Sequence, residues 1–131
     1  LRWLQNACQV HVIPSQAEGY GHVIGEAMSC GAVVVTTDAP PMNELVGADR
    51  GVLIRVERSE PMRRSMRNYI DVADLEAKLT GVFAMSSEER QALGRSARAW
   101  YEAQHRRFEN ALREFLDTLP GRPGGEQTTW R

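Results

Sequence analysis

Six residues, AVVVTT from Ala32 to Thr37, constrain the fold of this chain more than any other stretch. β-Branched side chains favour an extended backbone, so the run reads as a strand. Its apolar residues do not alternate with polar ones. A strand without alternation is one covered on both faces, as in a parallel sheet between helix layers. The flanking sequence agrees: VHVI (10–13), stopped by Pro14, reads as a preceding strand and GVLIRV (51–56) as a following one. Between the first two, GHVIGEAMSC carries Val23, Ile24, Ala27 and Met28 at i, i+1, i+4 and i+5, one stripe of a helix. Gly31 is placed to take a positive φ just past the end of that helix. APPMNELVG then offers a turn and a short helical segment. The predicted order is strand, helix, strand, short helix, strand, which is parallel α/β architecture with right-handed crossovers.

Beyond the third strand the pattern changes. ERSEPMRRSMRN (57–68) holds four arginines without a period and is expected to be a solvated loop; the sharper alternative is a basic lip over an anionic ligand. Asp71 is expected to cap a helix bearing Val72, Leu75, Leu79, Val82 and Phe83. Ser86 and Glu89 have capping-box spacing and open a further helix with Leu93, Ala97, Trp100 and Tyr101. Phe108, Leu112, Phe115 and Leu119 continue the helical spacing and read as core. PGRPGGEQTTWR (120–131) reads as a flexible tail. One domain is thus expected over 1–119, with three strands and at least four helices. A complete doubly wound domain has about five or six strands. Because Leu1 and Leu4 look like the end of an amphipathic helix, the chain is expected to be the C-terminal portion of a longer protein. Its half-sheet would leave an apolar edge strand through which copies could self-associate.

Composition narrows the partners. With a formal charge of −1 over 131 residues, the surface as a whole has no field for nucleic acid or an anionic membrane. No apolar run reaches the ~20 residues of a membrane span. Cys8 and Cys30 are too few for a disulfide framework and are not spaced as a metal site. Both read as small core residues, no metal is expected, and a reducing cytoplasm is the expected compartment.

The chemistry concentrates in PSQAEGYGHVIGEAM, from Pro14 to Met28. A helix start after a glycine turn offers unpaired amides and partial positive charge, which suit an anion such as phosphate. Gly19, Gly21 and Gly25 let a ligand or a neighbouring element come close. Glu18 and Glu26 would repel that phosphate, but a carboxylate is also a strong acceptor for sugar hydroxyls. A ligand with hydroxyls at both ends and a diphosphate between them, a nucleotide sugar, satisfies all of these groups. Two other readings stand beside it. Acidic residues and glycines are ordinary in turns and first helical turns, so the stretch can be structural. Gly19 to Gly25 also matches a dinucleotide-binding glycine pattern, with Asp38 where a ribose-binding acid would follow. That pattern is weakened by the four residues, Ser15 to Glu18, between Pro14 and the first glycine.

The ordered stretch Pro14-Ser15, Glu18-Gly19-Tyr20-Gly21, Glu26-Ala27-Met28, Cys30-Gly31, Val33 to Val35 and Glu44 resembles the C-terminal nucleotide-sugar-binding domain of glycosyltransferase family 4, of GT-B fold. The resemblance is close over residues 10–54 and generic over 71–118. It implies a partial Rossmann-like parallel sheet flanked by helices, and a glycosyltransferase that uses a nucleotide-sugar donor without a metal or other cofactor. It further implies that Glu26 binds the ribose hydroxyls, and that Glu18 lies at the donor sugar and helps orient its anomeric carbon. The amides of Gly19, Tyr20 and Gly21 would face the sugar and distal phosphate, and those of His22, Val23 and Ile24 the diphosphate. The family's basic diphosphate clamp and its acceptor-binding N-terminal domain are not in this sequence, so the isolated piece is expected to be inactive. The alternative is a non-catalytic nucleotide- or sugar-phosphate-binding scaffold.

Overall fold

The computed structural model describes residues 2–119; the tail expected over 120–131 lies outside them. Three parallel strands, β1 (Val10–Ile13), β2 (Val33–Thr37) and β3 (Gly51–Ile54), form a sheet in that order. Val10 lies opposite Val33, and Val34 opposite Gly51. The middle strand is β2, and all five of its residues are buried. Alternate side chains enter opposite cores, as a pleated strand requires. Val34 joins Ile24, Ala27, Met28, Met42 and Ala97 on one face, whereas Val33 and Val35 join Ile54 and Val82 on the other. Helices α2 (His22–Ser29) and α3 (Met42–Leu45) therefore cover one face and α4 (Val72–Ala84) the other. A short α1 (Arg2–Ala7) precedes the sheet. Thr36 and Thr37 are polar yet fully buried. Their hydroxyls donate to the carbonyls of Ile13 (2.8 Å) and Ser15 (2.7 Å), which satisfies them and ties the chain leaving β1 to β2.

The last helix, α5 (Ser87–Asp117), touches both cores, with Leu93 against one and Ala97 in the other. It passes the turn at the start of β2 so closely that a Cβ on Gly94 would stand 1.9 Å from the Gly31 carbonyl oxygen. Gly31 has the positive φ (72°) expected of a glycine just past a helix end.

Three expectations need correction. Residues 57–68 are no loop: β4 (Val56–Met62) and β5 (Ser65–Ile70) form an antiparallel hairpin. Its strands are held by polar pairs instead of an alternating apolar face. The Arg58 guanidinium lies 3.8 Å over the Tyr69 ring, Tyr69 donates to Glu60, and Ser59 donates to Asn68. A charge-rich sequence with Pro61 in it therefore hid two strands, and the described residues hold five strands, not three. The stripe of Phe108, Leu112, Phe115 and Leu119 is not core, since all four are exposed. At about 1.5 Å per residue, the 31 residues of α5 outrun the layer they pack on. Cys8 is exposed as well, and only Cys30 is partly covered.

Both predicted caps are present. Asp71 accepts from the Asp74 amide (3.1 Å) and pairs with Arg55, and Ser86 and Glu89 close a capping box on α5. The Asp74 amide, then the Arg55 guanidinium, holds the Asp71 carboxyl below its ordinary range. The Ser86 amide does the same for Glu89. A lowered folded-state pKa contributes stability that is complete above the unfolded value, about pH 4, and is lost as pH falls through the folded one. Thermal melts from pH 7 to pH 3 should show the midpoint falling below about pH 4. An Asp71→Asn/Glu89→Gln variant should show a shallower fall, and an identical slope would mean these caps carry none of the acid sensitivity.

Candidate functional site

Between β1 and α2 the chain makes an eight-residue connection, 14–21, at the C-terminal edge of the parallel sheet. Such an edge is where open α/β sheets take ligands. Its first half is anchored through the Ser15 carbonyl, which Thr37 holds. The Ser15 hydroxyl in turn donates to one oxygen of Glu18 at 2.6 Å. Glu18 is thereby half-buried and oriented, with its second carboxylate oxygen not engaged by that bond. Gly19 and Tyr20 are exposed, and the Tyr20 ring sits 5.0 Å from that of His22.

Gly21 is the residue on which the geometry turns. It is the N-cap of α2, in the left-handed region (φ 84°, ψ 42°), and a Cβ there would meet Leu45 Cδ1 at 2.7 Å. Only glycine takes that conformation without cost. A glycine also has no side chain with which to cap the helix, and no other side chain caps it. The contrast with α4 and α5, capped by Asp71 and Ser86, is direct. The Gly21 carbonyl accepts from the amides of Ile24 (3.0 Å) and Gly25 (3.1 Å). Among the described residues no acceptor takes the amides of His22 and Val23. The helix start thus has two open donors at its tip, not three. Ile24, expected to offer its amide to a diphosphate, has that amide occupied and its side chain fully buried in the core.

One turn beyond His22, the exposed Glu26 carboxylate accepts a hydrogen bond from Gln5 Nε2 at 2.8 Å. It also lines a cleft of about 710 Å³ between the beginning of α2 and the middle of α5. One wall carries Tyr20, His22 and Glu26; the other carries Trp100, Tyr101 and Phe108. Gly25 lets the walls approach, since a Cβ there would lie 3.3 Å from Tyr101 Cε2. The guanidinium of Arg50 stands 4.6 Å over the Trp100 ring and donates to the Leu45 carbonyl, which fixes that part of the aromatic wall. Glu18 is not part of the cleft lining. Of the two carboxylates, Glu26 lines the cleft and Glu18 belongs to the loop leading to the helix start. Among the described residues no three His, Cys, Asp or Glu side chains are grouped to hold a metal ion.

The far wall was invisible to motif reading. Trp100, Tyr101 and Phe108 lie more than seventy residues after Glu26 and have only the helical spacing of packing residues. Gln5 likewise has no motif around it. Asp38, the acid of the dinucleotide pattern, accepts from Asn43 (3.0 Å) and is absent from the cleft lining.

In a comparison with protein families, the family model described as glycosyl transferases group 1 matches residues 1–100. The chain belongs to the group 1 glycosyl transferases. Sugar transfer is thus the general activity of its kind. The parallel sheet between helix layers agrees with the Rossmann-like half of a GT-B enzyme. The matched span takes in the whole β1–α2 connection with Glu18 and Glu26, and it ends at Trp100, so the Tyr101 and Phe108 part of the aromatic wall lies beyond it. Comparison with curated proteins gave no match. No helix among the described residues of this group 1 glycosyl transferase is long and apolar enough to cross a membrane.

Proposed function

We propose that this chain is the donor-binding half of a family 4 glycosyltransferase that moves a sugar from a nucleotide sugar to an acceptor. The observation that carries the reading is the uncapped start of α2, with the His22 and Val23 amides open, beside a cleft walled by Glu26. A diphosphate at those amides is stabilised by their hydrogen bonds and by the helix dipole. Glu26, once it exchanges its Gln5 partner for ligand, accepts from the two ribose hydroxyls. The nucleobase then has the Trp100 and Tyr101 faces within the same cleft to stack on. In the other direction the sugar runs toward the exposed Gly19–Tyr20 backbone and Glu18. The oxygen of Glu18 not bound by Ser15 takes a sugar hydroxyl and orients the anomeric carbon.

As the bond from the anomeric carbon to the diphosphate breaks, charge grows on the leaving phosphate. Fixed donors at the helix start stabilise that charge most in the transition state, a role a divalent cation fills in other transferases. Further basic residues and the acceptor cleft belong to an N-terminal domain of the parent protein, without which this chain is inactive. β1 is an edge strand with Val12 exposed, a feature that supports pairing with further strands or with a second copy.

The test is turnover by the parent protein on a panel of nucleotide sugars, read as release of nucleoside diphosphate with a new glycoside. Glycoside formation is expected with one donor class. Tight binding of a nucleoside diphosphate with no transfer to any acceptor would replace the enzyme with a binding scaffold, and no binding at all would remove the donor site.

A further inference from the structure

The hairpin β4–β5 rises from the same sheet edge as the Glu18 connection and is fastened to it. Its strand β5 donates the Asn68 amide to the Gln16 carbonyl at 2.8 Å, two residues before Glu18. The Asn68 side chain is buried and takes the Ser59 hydroxyl at 2.7 Å, so the base of the hairpin is held in place. Farther out, Arg63, Arg64 and Arg67 are all exposed, and none forms an ion pair with a carboxylate among the described residues. Glu60, the nearest acid in the pairing register, is already taken by Arg58 and by the Tyr69 hydroxyl. Counting four arginines against Glu57 and Glu60, residues 56–70 carry an excess of two positive charges on a chain whose net charge is −1.

The tip adds a separate indication. Arg63 has φ 55°, the left-handed region where a Cβ is disfavoured and where glycine or asparagine is the ordinary choice in a tight turn. Non-glycine residues held in the left-handed region are found disproportionately at functional sites. The turn sacrifices backbone ease and keeps a guanidinium.

We propose that this hairpin is an anion-recognising arm, with Arg63, Arg64 and Arg67 taking a phosphate or carboxylate group on the acceptor substrate. This rests on the reading of the Glu18 connection as the donor-sugar side of the site. Guanidinium groups grip planar or tetrahedral oxyanions through paired N–H donors. An acceptor held by its anionic group from the arm would present a hydroxyl toward the sugar end of the donor, while the donor's own diphosphate stays at α2.

The experiment titrates inorganic pyrophosphate into the parent protein saturated with a nucleoside diphosphate, comparing wild type with Arg63→Gln/Arg64→Gln/Arg67→Gln. The expected result is at least a tenfold loss of pyrophosphate affinity, with nucleoside diphosphate affinity unchanged within about twofold. Arg63→Gly, which suits the left-handed turn and so keeps the hairpin folded, should lose about threefold by itself. Unchanged pyrophosphate affinity in the triple variant overturns the proposal. Equal weakening of both ligands also overturns it, by assigning the arm to the donor's phosphates. Loss of pyrophosphate binding in a protein that never binds a nucleoside diphosphate sinks the donor reading and the acceptor role together, leaving only an isolated anion site.

Discussion

Gly94→Ala is expected to destabilise the fold by about 2 kcal/mol and lower the thermal midpoint by roughly 10 °C. The added methyl would stand 1.9 Å from the Gly31 carbonyl oxygen and 2.8 Å from its carbon. Neither can yield cheaply, because both are backbone. Gly31 donates its amide to Met28 (2.9 Å), and Ala32 donates to Ala27 (3.2 Å), so the turn is tied to the end of α2. Overpacking of this kind costs about 1–3 kcal/mol and occasionally more. Against it stands a gain of about 1 kcal/mol for alanine over glycine in a helix. Because the contact is far inside van der Waals distance, the clash wins. Gly81→Ala in α4 is the control, since nothing lies within 4 Å of its Cβ position and only the helix gain applies. The same chemical change should thus lower the midpoint at position 94 and raise it at 81. A Gly94→Ala protein melting at or above wild type would show that α5 does not press on the β2 turn as described.

On the proposed donor reading, Glu26→Ala is expected to weaken nucleoside diphosphate binding by roughly 10- to 100-fold, the loss of about 1.5–3 kcal/mol that hydrogen bonds to a charged group supply. Stability should hardly change, because the carboxylate is exposed and its partner among the described residues, Gln5, is free to turn to water. That separation makes calorimetric titration alongside a thermal melt decisive. Glu26→Gln should fall between the two, since its amide still accepts one hydroxyl but lacks the charge. Gln5→Ala removes the resting partner and should leave affinity equal to wild type or better. An affinity for nucleoside diphosphate that survives Glu26→Ala would take the ribose out of this cleft.

Much of the fold could be read directly. The non-alternating AVVVTT run marked a doubly covered strand, and β2 is the central, fully buried one. Asp71, Ser86 and Glu89 marked two helix starts, and Gly31 a helix end. These are signals of short range: each depends on a few neighbouring residues whose backbone preferences do not wait for a tertiary partner. The glycine connection with Glu18 and Glu26 was legible for the same reason, as a local pattern of open amides and acids.

The misreadings share the opposite character. The hairpin of residues 56–70 is stabilised across strands, by Arg58 on Tyr69 and Ser59 on Asn68, contacts that exist only after the register is set. The Phe108 stripe has core spacing yet lies exposed, because spacing records which face of a helix is apolar and not how far its neighbour extends. Ile24 has the sequence position of a phosphate ligand, but its amide donates to the Gly21 carbonyl.

By itself, then, the sequence determined the three parallel strands, the starts of α4 and α5 and the positive-φ glycine that ends α2, since local sterics and hydrogen bonding suffice for those. Only the tertiary structure decided that α5 supplies an aromatic wall to the Glu26 cleft, that Glu18 stands outside it, and that residues 56–70 form a hairpin fastened to the Gln16 carbonyl. Those facts depend on which surfaces meet after the chain packs, and surfaces distant in sequence leave no mark on one another until they are pressed together.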